Sequence, residues 1–391
     1  MGHHAEVIIV GGGVIGGSVA YHLAKRGRRV KLLERERVGA GASGAAAGML
    51  GAQSEMHEAG PLYELARRSR AMFPQLDAEL RELTGIDIGL VQRGLLKIAR
   101  TPDEAEEIRR MIDFQVRSGE AAQWLGAGEA CELEPELAGS IEGAMWIPGD
   151  GHVSAPELTA AYAHAAVTLG AELYESSVVH ELRIEGGRVT GVVTDEGVIG
   201  CEQLVVAGGV SGNRLCAQAG LRLDMYPVKG ECFSVITRRP LVSRTIFANG
   251  CYAVPKRGGR LVIGATVAPR DYGLTVSAGG LRRLLDSACS LLPAIADAQW
   301  EKSWAGHRPQ TPDGLPYMGE SASCRGLFVA AGHYRNGILL SAAAGELMAE
   351  QMCGEPVSFE AWNAFAPDRR CDAQTASAGA LASIGGVHGD A

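Results

Sequence analysis

Short apolar runs that end in glycine alternate along this chain with segments of helical periodicity. Residues 5–10 (AEVIIV) predict a strand buried on both faces, because a mostly β-branched run without polar alternation suits such a strand. Apolar positions on one helical face predict a helix over 14–26, and Gly27 ends it. A second strand is predicted at 29–33, followed by Glu34. The chain therefore opens as a βαβ unit.

The same patterns divide the rest of the chain. Helices are predicted at 60–83, 102–118, 155–169, 278–292 and from 337 to about 352. Strands are predicted at 90–99, 171–206 (with a Gly186-Gly187 turn), 226–236, 251–265 and 327–331. The segment 371–391 is rich in Ala, Gly and Ser and predicts a frayed tail.

Composition limits the classes of protein to which this chain can belong. The 391 residues are enough for about two domains. A hydrophobic content of 46% excludes wholesale disorder, and a net charge of -8 argues against a nucleic-acid-binding surface. The cysteines form no C-x-x-C pair, so we expect no metal site and a reducing, cytoplasmic location. Neither a secretory signal nor a membrane span is predicted.

The turn after the first strand carries a glycine pattern typical of dinucleotide binding, Gly11-Gly12-Gly13-Val14-Ile15-Gly16. Gly11 allows a tight turn, Gly13 has no side chain to hold off a pyrophosphate, and Gly16 allows close packing of helix and strand. The helix start offers unpaired N–H groups to phosphates. Glu34 follows at the spacing that places a carboxylate on a ribose 2′-hydroxyl, which argues against NADP.

Two further glycine-rich segments favour FAD over NAD. Residues 39–51 place small residues where a backbone must run against a large planar group, and Ser43 there can donate its hydroxyl to a phosphate. An Ala-rich helix start is the alternative interpretation. Residues 332–338 (GHYRNGI) again join a strand to a helix, whose start can aim N–H groups at flavin carbonyls. We therefore expect non-covalent FAD that contacts both turns.

Three side chains are candidates for holding a substrate. Arg308 stands between glycine and proline in WAGHRP, and its planar fork suits a carboxylate, although a surface arginine in a turn is the alternative. Arg335 is a candidate for the same reason, since its planar guanidinium also suits a carboxylate. Tyr252 can donate its hydroxyl to the same carboxylate, although a packed core tyrosine is the commoner role. His307 and His333 are interpreted as structural histidines.

With these motifs in view, the chain resembles the D-amino-acid-oxidase-like flavoproteins from about residue 5 to 370, and within them the glycine-oxidising branch linked to thiamine biosynthesis. The stretches that carry the resemblance are 10–16 (VGGGVIG), 45–55 (AAAGMLGAQSE), 227–231 (PVKGE), 304–309 (WAGHRP) and 331–340 (AGHYRNGILL). The implied fold is α/β (α+β, two domains), with a Rossmann-like FAD-binding domain around a central parallel sheet and a substrate domain with a large antiparallel sheet. We assign 1–85, 150–225 and 300–370 to the first domain, and 86–149 and 226–299 to the second.

The resemblance also implies roles for individual residues. The adenosine half of FAD would lie against Val14, Ile15, Glu34, Arg35 and Val179. The rest of FAD would lie against Gly11, Gly13, Gly16, Ala42, Ser43, Ala47, Gly48, Met49, His333, Tyr334, Arg335, Asn336, Gly337, Ile338 and Leu339. Arg308, Tyr252 and Arg335 would hold the substrate carboxylate. Gly250 and Val267 stand where relatives carry histidine and methionine, which implies a roomier pocket beside Met49.

The implied reaction is the oxidative deamination of glycine and other small amines, such as sarcosine and small D-amino acids. Hydride would pass from Cα to flavin N5 without a side-chain general base, giving the 2-oxo acid (glyoxylate), ammonia and hydrogen peroxide. Molecular oxygen would be the acceptor, and the resemblance suggests a homotetramer. Two alternatives stay open: a D-amino-acid dehydrogenase of the same fold that uses an electron carrier, and a non-catalytic flavin-binding protein.

Overall fold

The chain forms two large β-sheets with helices packed beside each of them. The computed structural model describes residues 4–56 and 58–369, so the tail predicted for 371–391 lies outside the described residues. The helices are α1 (Val14–Lys25), α2 (Ala42–Ala45), α3 (Pro61–Thr84), α4 (Pro102–Arg117), α5 (Ala127–Leu133), α6 (Ala155–Thr168), α7 (Gly212–Gln218), α8 (Ala278–Leu291) and α9 (Gly337–Met352). The strands are β1 (His4–Val10), β2 (Val30–Leu33), β3 (Met49–Leu50), β4 (Leu95–Ala99), β5 (Gln123–Gly126), β6 (Gly143–Ile147), β7 (Gly151–His152), β8 (Glu172–Tyr174), β9 (Val179–Glu185), β10 (Arg188–Thr194), β11 (Gly197–Val206), β12 (Tyr226–Ile236), β13 (Thr245–Ala248), β14 (Cys251–Pro255), β15 (Arg260–Gly264), β16 (Ala268–Pro269), β17 (Gln299–Gln310), β18 (Tyr317–Glu320) and β19 (Leu327–Ala331).

The first sheet, called the parallel sheet below, runs in the order β18-β19-β11-β1-β2-β8, and an antiparallel hairpin of β9 and β10 joins it through the pairing of β10 with β11. Its strands from β19 to β8 are parallel, and β18 joins them antiparallel at one edge. Ile9 packs on one face against helices α1, α6 and α9, whereas Ile8 packs on the other against β9, β10 and α7. Because both faces of β1 are covered, an unbroken apolar run suits it.

The second sheet, called the antiparallel sheet, runs in the order β16-β12-β15-β14-β13-β4-β6-β5, and β17 pairs with the other side of β12. Its strands are antiparallel except for the pair of β13 with β4. Phe233 and Ile263 pack on one face against Leu284 of α8. The two sheets confirm the predicted fold class.

Three predicted elements differ from the structure. The strand predicted at 90–99 begins only at Leu95, because Gly94 has a φ of +80° that breaks the extended chain. The strand predicted at 251–265 is a hairpin of β14 and β15 with a turn between them. The segment 304–309 lies inside β17, so pairing with β12, and not a turn, fixes the backbone of Arg308.

Strand pairing also bears on the predicted domain division, which stays a prediction. Residues 300–310 were assigned to the FAD-binding domain, but β17 pairs with β12 along its whole length and belongs to the antiparallel sheet. Within residues 4–56 and 58–369 no helix is long and apolar enough to cross a membrane. The same residues contain no cluster of three or more side chains that could hold a metal ion, and their cysteines are free thiols.

Candidate active site

A cavity of about 1900 Å³ is lined by residues from both sheets. The parallel sheet contributes the turns after β1 and β19, and the antiparallel sheet contributes side chains of β12, β14 and β17. A pocket for a small ligand usually measures about 300–1,000 Å³. This cavity therefore has room for a dinucleotide together with a small substrate.

The turn after β1 begins the cofactor end of the cavity. Helix α1 packs so closely on this turn that a Cβ on Gly16 would lie 1.9 Å from the carbonyl oxygen of Gly11. The N–H of Val14 points out of the helix start and donates to Ser43 Oγ at 2.9 Å. The start of α1 thus forms part of the cavity wall, and helix starts are common phosphate sites.

Glu34 stands at the end of β2, on the rim of the same cavity. Its carboxylate accepts hydrogen bonds from the N–H groups of Gly12 at 2.7 Å and Glu36 at 2.9 Å. Main-chain donors therefore hold the carboxylate beside the glycine turn. This is the arrangement in which a carboxylate receives a ribose hydroxyl.

The turn after β19 lies at the other end of the cofactor cavity. Tyr334 has a φ of 46°, and its N–H donates to the carbonyl of Pro309 at 3.0 Å, which joins this turn to β17. His333 is buried, and burial lowers its pKa to about 3. Helix α9 then begins at Gly337 with Asn336 preceding it, and its first residues line the cavity.

Three residues that line this cavity each carry a buried polar atom without a hydrogen-bond partner in the described chain. These atoms are His333 Nε2, Ser177 Oγ and Asn213 Oδ1. Leaving a buried polar group unpaired costs about 1–3 kcal/mol, so a ligand that pairs with these atoms is favoured. FAD carries hydroxyls, phosphates and ring carbonyls along its length, and the residues present fit it.

Arg308 lies across the floor of the substrate end. Its side chain passes over Gly230 of β12, where a Cβ would come within 2.4 Å of the guanidinium, and its Nη1 donates to the carbonyl of Thr266 at 3.3 Å. No carboxylate of the described chain forms an ion pair with it. The guanidinium is therefore held in place by main chain and keeps its charge for a ligand.

Tyr252 belongs to a row of side chains that crosses the antiparallel sheet. Strand pairing aligns Tyr252 with Gly264, Gly264 with Cys232, and Cys232 with Trp304. The Tyr252 hydroxyl lies 3.6 Å from Cys232 Sγ, and Trp304 Nε1 donates to the carbonyl of Ala45 at 3.0 Å. Burial raises the pKa of Tyr252 well above its usual value, so its hydroxyl is a hydrogen-bond donor at any ordinary pH.

Glu55 is a pocket residue that the sequence analysis missed. Its Oε1 lies 3.0 Å from Arg335 Nη2, and both residues line the cavity. Burial alone would lower the pKa of Arg335, but Glu55, Tyr334 and Tyr252 outweigh it and raise that pKa above its usual value. The sequence signal for Glu55 was its position, because this acidic residue directly follows the glycine- and alanine-rich segment 45–54.

The cavity brings together most of the predicted site residues. Those that line it are Gly11, Gly13, Val14, Ile15, Glu34, Arg35, Ala42, Ser43, Ala47, Gly48, Met49, Val179, Tyr252, Arg308, His333, Tyr334, Arg335, Gly337 and Ile338. Gly16, Asn336 and Leu339 are not among the residues that line it.

The two positions expected to make the pocket roomier also lie off the cavity lining. Gly250 occupies the exposed turn between β13 and β14, with a φ of +76° and nothing within 4 Å of an added Cβ. Val267 lies between β15 and β16 and is also absent from the cavity lining. The structure therefore gives no support for a larger pocket from either residue, and this part of the prediction stays a prediction.

Comparisons of the sequence and the structure with known proteins show which proteins this chain is similar to. The family described as "FAD dependent oxidoreductase" (DAO) matches residues 6–351. The chain is 52% identical over 364 residues to a glycine oxidase of Geobacillus kaustophilus, covering 92% of this chain and 96% of that protein. The crystal structure of glycine oxidase from Geobacillus kaustophilus matches with a TM-score of 0.92 and 51% identity, over 95% of this chain and 100% of that one. An L-proline dehydrogenase from P. horikoshii matches with a TM-score of 0.85 and 25% identity, over 94% and 98% of the two chains.

Proposed function

The chain belongs to the family of FAD-dependent oxidoreductases, and we propose that its substrates are glycine and similarly small amines. FAD is its cofactor, and FAD-dependent oxidation of an amino acid is its activity. The proposed products are the 2-oxo acid (glyoxylate from glycine), ammonia and hydrogen peroxide. Molecular oxygen is the proposed acceptor.

The unpaired guanidinium of Arg308 carries the proposal. Arg335 is already neutralised by Glu55 at 3.0 Å, whereas Arg308 donates to the main-chain carbonyl of Thr266 and forms no ion pair within the described residues. Arg308 thus offers an uncompensated positive charge on a planar fork, which suits one carboxylate held bidentately. The buried hydroxyl of Tyr252 adds a neutral donor on the same face of the antiparallel sheet.

The chain's own residues bind and orient the substrate. FAD, when bound, supplies the acceptor for the hydride that leaves the substrate Cα. The two buried histidines of the described lining, His152 and His333, are weak bases, because burial lowers the pKa of each to about 3. Lys256 also lines the cavity, but its Nζ donates to the carbonyl of Val153 at 2.6 Å, so we propose that the amine enters without its extra proton. We expect kcat/KM to rise with pH as more of the substrate loses that proton.

We also propose the cofactor roles of the two glycine turns and a cytoplasmic homotetramer. The support for the cofactor roles is the lining of the cavity by Gly11, Gly13, Ser43 and the first residues of α9. The support for a reducing location is that the described cysteines are free thiols. Family membership is the support for the tetramer.

A dehydrogenase that passes electrons to a carrier is the second candidate. The similarity to the L-proline dehydrogenase from P. horikoshii favours it, since that protein shares the fold over most of both chains. Oxygen consumption separates the two candidates. An oxidase consumes oxygen with glycine alone, whereas a dehydrogenase does so slowly until an artificial carrier is added.

The decisive test is anaerobic mixing of the purified holoenzyme with glycine, sarcosine or D-alanine while the flavin absorbance is followed. We expect bleaching by glycine or sarcosine, and recovery of the absorbance with formation of peroxide when oxygen is admitted. Flavin that none of the three amines bleaches would contradict the proposal. It would indicate a flavin-binding protein without turnover on small amines.

A further inference from the structure

The segment 227–231 (PVKGE) runs along the floor of the site, but Lys229 and Glu231 within it have no role described above. Gly230 of this segment faces the cavity beneath Arg308, so Lys229 and Glu231 face the opposite side of the sheet. Both are buried, and Lys229 Nζ lies 3.4 Å from Glu231 Oε1. A buried ion pair on the back of the substrate floor needs a structural explanation.

The explanation is the segment 270–277, called the rim loop below. Lys229 Nζ lies 3.1 Å from Asp271 Oδ2, which fixes the start of the loop. Glu231 accepts from the N–H of Ser277 at 2.9 Å and from its hydroxyl at 3.2 Å, which fixes the end. His307, paired with Lys229 across the strands, places Nε2 3.1 Å from the carbonyl oxygen of Gly273, which fixes the middle.

The fastened loop carries two apolar side chains at the mouth of the cavity. Tyr272 is 68% exposed and Leu274 is 59% exposed. These are the largest exposed fractions among the large apolar side chains on the described surface. Both line the same cavity as Arg308, and Gly273 between them is the residue that His307 holds. Apolar side chains that line a pocket can contact the apolar part of a ligand, since ligand pockets are lined mainly by such groups.

We propose that the rim loop determines how well the enzyme accepts amines larger than glycine. Tyr272 and Leu274 contact the apolar substituent of the substrate, an N-alkyl group or a short side chain, while Arg308 holds its carboxylate. Glycine has no substituent to reach them. Lys229, Glu231 and His307 are positioning residues for the loop. This inference rests on the proposed function, since it assumes that a small amino acid binds at Arg308.

The test compares glycine with N-ethylglycine as substrates of the holoenzyme. For the double variant Tyr272→Ser/Leu274→Ser we expect kcat/KM with N-ethylglycine to fall about tenfold through KM, because apolar contact area is lost. The value for glycine should stay within about twofold. Val198→Ser, which removes an apolar side chain that is 48% exposed and lies off the cavity lining, should change neither.

A positioning variant separates the loop's placement from its side chains. His307→Leu removes the contact with the Gly273 carbonyl and leaves Tyr272 and Leu274 in the chain. We expect a smaller rise in KM for N-ethylglycine, of about threefold, which His307→Gln partly restores because its amide can still donate. Equal KM values for N-ethylglycine in the unmodified enzyme, His307→Leu and His307→Gln would overturn the positioning role of His307.

Other outcomes are distinguishable. If glycine is oxidised and the ratio of the two kcat/KM values is unchanged in the double variant, the rim proposal fails and the proposed function stands. A higher rate with N-ethylglycine would overturn it too, since the loop would then be a barrier. An unchanged ratio with altered subunit assembly on size-exclusion chromatography would assign the two side chains to a subunit contact. Failure of the unmodified enzyme to oxidise glycine would instead defeat the proposed function.

Discussion

The two sheets build their halves of the cavity by different means. The parallel sheet uses main chain: the turn at Gly11, the N–H of Val14 and the start of α9 at Gly337. The antiparallel sheet uses side chains, chiefly Arg308 and Tyr252, that stand on separate strands. Main-chain donors suit a cofactor whose phosphates are the same in every family member, whereas side chains adapt to a particular substrate. A substitution in the parallel sheet should therefore impair cofactor binding alone, and one in the antiparallel sheet should impair substrate binding alone.

The largest effect is expected where the main-chain half has no room. Gly16→Val would place a Cβ 1.9 Å from the Gly11 carbonyl oxygen, and α1 would have to move off the turn. Overpacking typically costs about 1–3 kcal/mol, and more where backbone cannot yield. We expect the purified variant to hold little FAD, which the ratio of flavin to protein absorbance measures, and to unfold at a lower temperature.

The control for that variant adds the same kind of atom where space is available. Gly128→Ala lies in α5, where an added Cβ meets nothing within 4 Å. It should keep its FAD and be neutral or more stable by up to about 1 kcal/mol. Full FAD occupancy in Gly16→Val would contradict the close packing of α1 on the turn.

Arg308→Ala tests the side-chain half alone. Removing the charged partner of the substrate carboxylate should lower kcat/KM for glycine by about 2–5 kcal/mol in transition-state free energy. The FAD content should not change, since the main-chain turns are intact. Steady-state oxygen consumption measures the loss, and Arg282→Ala on the exposed side of α8 is the matched control. Unchanged kinetics with glycine would remove Arg308 from the substrate site.

The difference between a half built from main chain and a half built from side chains also explains how much of the molecule could be predicted from sequence. The glycine turn, the strand before it, the helix after it and Glu34 lie within thirty-one residues, numbers 4 to 34, so the local pattern predicted that half well. The substrate floor depends on register between distant strands, such as Cys232 with Trp304, which no local pattern contains. Glu55 was missed for the same reason, because its partner Arg335 lies on the last turn of the parallel sheet.

The position of Gly250 also depends on strand pairing. The resemblance placed it beside the pocket, where relatives carry histidine, but here it lies in the exposed turn between β13 and β14. The hairpin inside 251–265 was missed although Gly258-Gly259 marks its turn, the same signal that predicted the turn at Gly186-Gly187. Periodicity alone predicted only that these residues are extended.

Acid is expected to weaken the main-chain half. His22 of α1 and His333 after β19 are buried there, and burial lowers the pKa of each to about 3 from 6.5. A lowered folded-state pKa gives stability that is complete above pH 6.5 and is lost as the pH falls towards 3. At pH 5.5 each histidine should cost roughly 1.4 kcal/mol in the free energy of unfolding.

Denaturant unfolding at pH 7.5 and pH 5.5 measures that loss. His22→Leu removes one of the two groups, and it lies off the cavity lining. Whatever its stability at pH 7.5, the variant should lose roughly 1.4 kcal/mol less than the unmodified protein between the two pH values. An identical pH dependence in the two proteins would show that His22 does not stay neutral in the fold.

The smallest effect concerns the contact between the halves, where Arg335 from the parallel sheet faces the same cavity as Arg308. Glu55→Gln keeps the shape of the side chain but removes the charge that neutralises Arg335 at 3.0 Å. Two uncompensated cations should then face the substrate carboxylate. Acetate, which has a carboxylate and no amine, should bind up to about fivefold more tightly as an inhibitor, in keeping with the ~1 kcal/mol of a partly exposed ion pair.

The salt dependence of that inhibition sharpens the result. The gain in acetate affinity should shrink as ionic strength rises, because salt screens partly exposed charges. Glu346→Gln is the matched control, since Glu346 Oε2 lies 2.8 Å from Arg68 Nη2 in an ion pair outside the cavity lining. If acetate affinity at low salt is the same in Glu55→Gln and the unmodified enzyme, the charge of Arg335 does not reach the carboxylate. The antiparallel sheet would then hold the substrate alone, and the division between a main-chain half for the cofactor and a side-chain half for the substrate would be complete.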